Sequence, residues 1–352
     1  VGIDGDYAGS GAHGRDSAAG AAYIFERSAG GAWEQKAKIL AEDANMGDKL
    51  GWNVAISGDY VLVGAPESSE TGAAYIFERD GAGDWGQKAK LVPDDSSAGD
   101  EFGYSVAISG DYAVIASVSN NSDAGAAYIF ERSDAGNWEQ TAKLIADDWS
   151  NEDKFGISVA ISGDFVVVGA YYNDDAGTSS GSAYIFKRDG GTWSQTAKLV
   201  ATDAAAGDHF GRAVAISGDY AVVGAHLQGG GSGKAYLFER KENDGSWAEV
   251  YQITTDDSDT ADQFGMTVSI SGNYIVIGTS KNSNKGAAYF FYKNSDNVCN
   301  QLYKLTASDA QDVDRFANSV AISGDYVICG AYLVDVVDSG DNAGAVYVFG
   351  PN

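Results

Sequence analysis

The sequence predicts an all-β fold, a seven-bladed β-propeller of four-stranded antiparallel blades, and three observations lead there. The phrase I-[SD]-G-[DN]-[YF] returns seven times, at Ile3, Ile56, Ile108, Ile161, Ile216, Ile270 and Ile322, at intervals of 52 to 55 residues. Each interval reads as four short strands parted by turn residues, with almost no helical periodicity. One such small sheet cannot keep both faces dry by itself, so repeats of this length stack and close into a ring. The 352 residues therefore form a single propeller domain, with blades over approximately 1–40, 50–92, 102–145, 155–200, 210–254, 264–306 and 316–352.

The third repeat shows each element in order. Strand A (Ser105 to Ile108) and strand B (Tyr112 to Ala116) are rich in Val, Ile and small residues, which suits a crowded position covered on both faces. The Ser-Gly-Asp step between them is a tight hairpin, where Gly supplies positive φ and Asp can accept from nearby amides. Strand C, ending at Arg132, and strand D, from Trp138 to Ile145, alternate apolar and polar residues as half-buried strands do. Strand D is expected outermost, because it carries Lys36, Lys38, Lys88, Lys90, Lys143, Lys198 and Lys304, which oppose edge-to-edge aggregation. Pro66, Pro93 and Pro351 all fall outside the strands. The seventh repeat, from Phe316 to Phe349, stops after strand C, so its last blade lacks an outer strand within this chain. The missing strand is expected either from sequence before Val1 or from a neighbouring chain, the second route being a form of self-association.

Composition narrows the partners. With 23 basic and 50 acidic residues the net charge is -27, which repels nucleic acid and anionic membrane faces. No stretch approaches the roughly 20 apolar residues of a membrane span, so no insertion is expected. Two cysteines exclude a disulfide framework. Cys299 stands where other repeats place a strand D tryptophan and Cys329 lies in strand B of the next blade, so they are either an inter-blade disulfide or two buried thiols.

Phe102-Gly103, Phe155-Gly156, Phe210-Gly211 and Phe264-Gly265, each followed by V-A-I-S-G-D-Y or a close variant and then by a Gly-Ala step such as Gly64-Ala65 or Gly169-Ala170, resemble the FG-GAP repeat. Leu50-Gly51 and Phe316-Ala317 are variants of the first step. The chain is similar over essentially its whole length to the repeats of bacterial and algal surface proteins and of the integrin α-subunit head. The resemblance implies an extracellular or cell-surface propeller used for binding and adhesion, and not an enzyme. Integrin cation sites sit in long acidic A-to-B loops; here that connection is only Ser-Gly-Asp, so those calcium sites do not carry over.

Candidate sites follow from the loops. The D-to-A and B-to-C loops are expected on one face, because successive strands alternate direction. The D-to-A loops share paired carboxylates, Asp43 with Asp48, Asp95 with Asp100, Asp148 with Asp153, Asp203 with Asp208, Asp257 with Asp262 and Asp309 with Asp314. Short Asp side chains capping turn amides explain such repetition, and calcium, which takes six to eight oxygens, is the competing reading. The B-to-C loops differ between blades, as recognition surfaces do. In the fourth, Tyr171, Tyr172, Asn173, Asp174 and Asp175 set two aromatics beside two carboxylates, suited to a sugar ring or a cationic side chain. His226 and Tyr332 open the fifth and seventh, and Asp335, Asp338 and Asp341 in the seventh could wrap one Ca²⁺. Asn120 begins an N-glycan acceptor triplet. No nucleophile elbow or phosphate loop occurs. The leading expectation is a non-catalytic binding module for protein or glycan, with a structural building block of a filament or sheath as the alternative and a hydrolase behind both.

Overall fold

The computed structural model describes residues 1–351 except 256, 258–260, 280, 282–284, 310, 312–313 and 336–343. Its 27 strands form seven antiparallel sheets in simple consecutive order, six of four strands and the last of three. The fold class is thus the expected all-β seven-bladed propeller. Helical hydrogen bonding is confined to turns of three or four residues, which contain left-handed backbone. Among the described residues no helix is long and apolar enough to cross a membrane.

The chain divides into two compact units, residues 1–163 with 188–194 and residues 164–187 with 195–352. The first unit holds blade 1 (β1 Gly2–Asp4, β2 Tyr7–Gly11, β3 Ala22–Arg27, β4 Trp33–Ile39) and blade 2 (β5 Val54–Ser57, β6 Tyr60–Ala65, β7 Ala73–Arg79, β8 Trp85–Leu91). It also holds blade 3 (β9 Phe102–Ser109, β10 Tyr112–Ser117, β11 Ala126–Arg132, β12 Trp138–Leu144). Blade 4 is divided between the units and comprises β13 Phe155–Ser162, β14 Phe165–Ala170, β15 Ser182–Asp189 and β16 Thr192–Leu199. The second unit continues with blade 5 (β17 Phe210–Ser217, β18 Tyr220–Ala225, β19 Lys234–Arg240, β20 Trp247–Ile253) and blade 6 (β21 Thr267–Ser271, β22 Tyr274–Thr279, β23 Ala287–Lys293, β24 Cys299–Leu305). Blade 7 has β25 Phe316–Ser323, β26 Tyr326–Ala331 and β27 Ala345–Phe349, and no fourth strand pairs with β27 among the described residues.

The core lies between successive sheets, not inside any one of them. Ala22, Ile24 and Ile39 of blade 1 pack with Val54, Val61, Val63 and Tyr75 of blade 2, and the same pattern joins blades 2 and 3. Strand B is the most deeply buried, with Val61, Leu62, Val63 and Ala65 all at 0 % exposure, which explains its small and β-branched residues. Strand D lies outermost in all four-stranded sheets, as its lysines imply.

Strand A is longer than the sequence suggested. In blade 3 it starts at Phe102, because a bulge lets Phe102 pair with Ser117 after Val106 has paired with Ile115. The Phe-Gly step therefore belongs to the sheet and packs on the preceding blade. A Cβ placed on Gly64 of β6 would stand 2.0 Å from the carbonyl oxygen of Gly103, so only glycine permits this approach of two backbones. The Phe102 side chain meanwhile is fully buried, with its ring edge-on to Tyr128 and Phe130.

A second fastener works at the A-to-B turn. The Tyr60 hydroxyl donates to Glu78 Oε1 at 2.7 Å in its own blade, while Trp138 and Arg132 of the next blade cover the ring edge-on at 6.0 Å and face-on at 4.9 Å. Arg132 in turn pairs with Asp111. Tyr7 and Tyr112 repeat the arrangement with Trp85 and Trp193. The tyrosine of the repeated phrase is thus an inter-blade clasp that grips strands C and D of the next blade.

Candidate functional site

The repeated carboxylates are committed to the fold. In five of the six D-to-A turns the second Asp accepts from a backbone amide three residues earlier: Asp48 from Asn45 at 2.8 Å, Asp100 from Ser97 at 2.9 Å, Asp153 from Ser150 at 2.9 Å, Asp208 from Ala205 at 2.8 Å and Asp314 from Gln311 at 2.6 Å. Three of the first Asp residues accept from a buried strand C tyrosine and from a strand D lysine: Asp43 from the Tyr75 hydroxyl at 2.9 Å and Lys90 at 2.5 Å, Asp95 from Tyr128 at 2.9 Å and Lys143 at 2.6 Å, and Asp257 from Tyr289 at 2.9 Å and Lys304 at 2.6 Å. Although burial opposes ionisation, the lysine and the tyrosine hold the Asp43, Asp95, Asp203 and Asp257 carboxyls below their usual range. Blade 5 makes the same triangle with its lysine moved to strand C, where Lys234 reaches Asp203 at 2.6 Å. A calcium ion would have to displace ammonium and amide donors, so these turns do not fit one. Among the described residues no group of three His, Cys, Asp or Glu is arranged to hold a metal.

The B-to-C loop of one blade lies against the D-to-A loop that leads into the next, within each unit. Gly99 N donates to Glu70 O at 2.8 Å, Lys154 N to Asp123 O at 2.9 Å and His209 N to Ser179 O at 3.2 Å. The two loop sets therefore share a face, as strand alternation requires.

On that face the second unit gathers four aromatic rings. Tyr171 and Tyr172 stand with ring centroids 3.9 Å apart, both meet His209 edge-on at 5.1 and 5.2 Å, and His209 meets His226 at 5.3 Å. Tyr171, Tyr172 and His209 are half-buried, whereas His226 is 7 % exposed beneath them. Burial pushes the His226 imidazole down to about 3, and the positive charges of Arg212, His209 and Lys281 act in the same direction. Burial and Arg212 lower His209 likewise. The Nδ1 atoms of both histidines are buried without a hydrogen-bond partner. The guanidinium of Arg212 is thus close enough to both imidazoles to act on them.

The rest of the fourth loop is structural. Asn173 is 2 % exposed, and its side-chain oxygen accepts from Ser182 at 2.8 Å and Lys198 at 3.2 Å. Asp174 accepts from Ser179 N at 2.7 Å and Asp175 pairs with Lys198. Of the two carboxylates expected to hold a cationic side chain, Asp175 is thus paired with Lys198, while Asp174 is exposed and bonded through one oxygen to a backbone amide. Sequence reasoning missed the pairing of His209 with Arg212 across Phe210-Gly211; the available signal was an imidazole where other repeats carry Lys49, Glu101, Lys154, Gln263 and Arg315, and a guanidinium where they carry Trp52, Tyr104, Ile157, Met266 and Asn318.

Other candidates lie apart from this group. Tyr332 is 47 % exposed and Asp335 is exposed, while Asp338 and Asp341 lie outside the described residues. Asn120 is 8 % exposed; its Nδ2 donates to Asp100 at 2.9 Å and its Oδ1 accepts from Lys143 at 3.2 Å, so the acceptor triplet serves the turn and offers no accessible amide to a glycan. Cys299 and Cys329 are free, buried thiols. Cys299 packs in the cluster shared with blade 5 and Cys329 in the cluster between blades 6 and 7, so the sixth sheet separates them and the disulfide does not form. His13, in register with His226, packs on Trp52 at 4.9 Å.

Antiparallel blades clasped through Phe-Gly and Gly-Ala steps, with variable loops on one face, define a repeat propeller. The family model for the FG-GAP repeat matches residues 33–77, 85–130, 138–186, 193–238, 247–291 and 299–349, and the chain belongs to that family. No curated protein matches it in sequence. Among solved structures it is similar to a protein of Lactobacillus plantarum, with TM-score 0.63, 13% identity and coverage of 98% of this chain and 99% of that one. It is also similar to proteins of Bacteroides uniformis (TM-score 0.63, 16% identity, 92% and 89% covered) and Bacteroides fragilis (TM-score 0.61, 14% identity, 92% and 86% covered), each provisionally named a 6-phosphogluconolactonase. At such identities the likeness is one of fold.

Proposed function

We propose that the protein is a non-catalytic, secreted or surface-displayed binding module that takes an acidic sugar of a glycan on its B-to-C loop face. The observation that carries this reading is the group Tyr171, Tyr172, His209 and His226 beside Arg212. Two tyrosines offer ring faces of the kind on which a pyranose stacks, and a guanidinium beside them suits a carboxylate or sulfate through paired N–H donors. Tyr171, Tyr172 and His226 come from B-to-C loops, which vary between repeats, and His209 and Arg212 from the D-to-A turn beside them and the strand it enters, at positions that also differ from repeat to repeat.

The provisional names of the two Bacteroides proteins raise a hydrolase as the second reading, since a phosphorylated sugar lactone is also an anionic ring. Against it stands the His226 imidazole at about 3, too weak a base to hold a proton during turnover near neutral pH. The test is an array of acidic and neutral glycans, read for wild type and for Tyr172→Ala and Arg212→Ala, with and without EDTA. Acidic glycans are expected to bind, each variant to lose about tenfold in affinity, and EDTA to change nothing at this site, because among the described residues no group of three His, Cys, Asp or Glu is arranged to hold a metal. Equal binding by all three proteins, or none by wild type, would remove the proposal, and hydrolysis of 6-phosphogluconolactone would replace it.

A further inference from the structure

We infer a second, separate carbohydrate site in the first unit: a cleft of about 670 Å³ between the B-to-C loop of blade 3 and the D-to-A loop that follows, in which Trp149 is the stacking platform for a neutral sugar. The cleft is lined by Trp149 and Ile145 together with Ser97, Asn121, Ser122 and Lys143. Its volume lies within the range of small-ligand pockets, roughly 300–1,000 Å³, but its lining is more polar than is usual for them, with Trp149 and Ile145 as its large apolar surfaces.

The repeats supply their own control. Trp149 follows the first Asp of its turn, where the turns of blades 1, 2 and 4 place Ala44, Ser96 and Ala204. Those turns close with the same Asp-to-amide bond, so the indole is not needed for the local fold. It is 47 % exposed and Ile145 beside it 45 %. A large aromatic left in water at a position where alanine suffices is available to a ligand.

The polar groups choose the ligand class. Lys143 is spent on Asp95 at 2.6 Å and on Asn120 at 3.2 Å, and Asp100 on Ser97 N and Asn120. What faces the cleft uncommitted is the exposed amide of Asn121 and the hydroxyl of Ser122, both neutral donors and acceptors. Asn121 and Ser122 hold left-handed backbone, φ 52° and 58°, where blade 5 uses Gly229 and Gly230 in the matching turn. A hydroxyl-rich neutral ring satisfies such groups, and an anion finds no free cation here. The site therefore differs from the Tyr171 group in both unit and ligand charge.

Calorimetric titration with neutral tetrasaccharides (malto-, cello-, manno- and chito-oligosaccharides) tests this. At least one is expected to bind wild type; Trp149→Ala should lose at least tenfold in affinity, Trp149→Phe no more than about threefold because a ring face remains, and Tyr172→Ala nothing. Since Trp149 is exposed, both tryptophan variants should melt with wild type, which separates binding from folding. Absence of binding by all four sugars, unchanged affinity in Trp149→Ala, or a shift from oligomer to monomer in that variant, which would make the indole a protein contact, overturns the inference. Loss of acidic-glycan binding elsewhere on the chain leaves it standing.

Discussion

His226 shows how little of a residue's chemistry is visible in its place in a repeat. The sequence put it at the head of a variable loop, in register with His13, yet one imidazole packs on Trp52 and the other lies beneath His209. What register cannot give is the neighbour, because that comes from the next D-to-A turn. Asp43 makes the same point from the other side. Its pairing with Asp48 was legible as turn capping, but its tyrosine and lysine partners come from strands 32 and 47 residues away. The buried imidazole has a pH consequence. Unfolded, it takes a proton near 6.5; folded, it refuses one until about 3, so stability should fall as pH drops through that window, by at most about 1.4 kcal/mol per pH unit. Between about pH 6.5 and 5.5 the carboxylates are still ionised in both states, and the histidines dominate the slope. His226→Gln is therefore expected to flatten the dependence of urea-unfolding free energy on pH over this range. Parallel slopes for the two proteins would mean that the imidazole is protonated as readily in the fold as out of it.

At the scale of the element, the strand order was legible and the true start of strand A was not. Alternation marks where side chains point, but the bulge here sets four residues of strand A against two of strand B without disturbing composition, so Phe102-Gly103 read as a lead-in rather than as sheet. Its purpose is the approach of neighbouring blades, and two glycines separate that purpose from simple turn chemistry. Gly64 has a neighbouring backbone oxygen 2.0 Å from where a Cβ would sit; Gly58, in the A-to-B hairpin, has φ of +55° and nothing within 4 Å. Gly64→Ala must part β6 from the Phe-Gly step and is expected to cost about 3 kcal/mol, at the upper end for overpacking. Gly58→Ala meets only the left-handed penalty, about 1 kcal/mol. Thermal or denaturant melts of the two variants check the order, and an equal or reversed cost would show that the blades can slide apart without loss.

Over the whole chain, blade number followed from a period that no loop variation could hide, whereas the two gatherings of aromatic side chains depended on contacts between repeats. Charge is the property that acts at this scale. Most lysines and arginines are already paired at partly exposed sites, as Lys90 is with Asp43 and Lys304 with Asp257, and such pairs contribute about 0–1 kcal/mol each. With 50 acidic residues against 23 basic ones, 27 carboxylates have no cation to offset them and repel one another throughout the fold. Salt weakens both effects, but it screens repulsions that act over many tens of ångströms more completely than contacts below 3 Å, since the Debye length shrinks to about 8 Å at 0.15 M. The melting temperature should therefore rise between about 10 mM and about 0.15 M NaCl, and tetramethylammonium chloride should act equally, because the effect is one of ionic strength. A fall in melting temperature over the same range would show that the Asp–Lys pairs of the turns, and not the excess of negative charge, govern how this protein responds to its ionic surroundings.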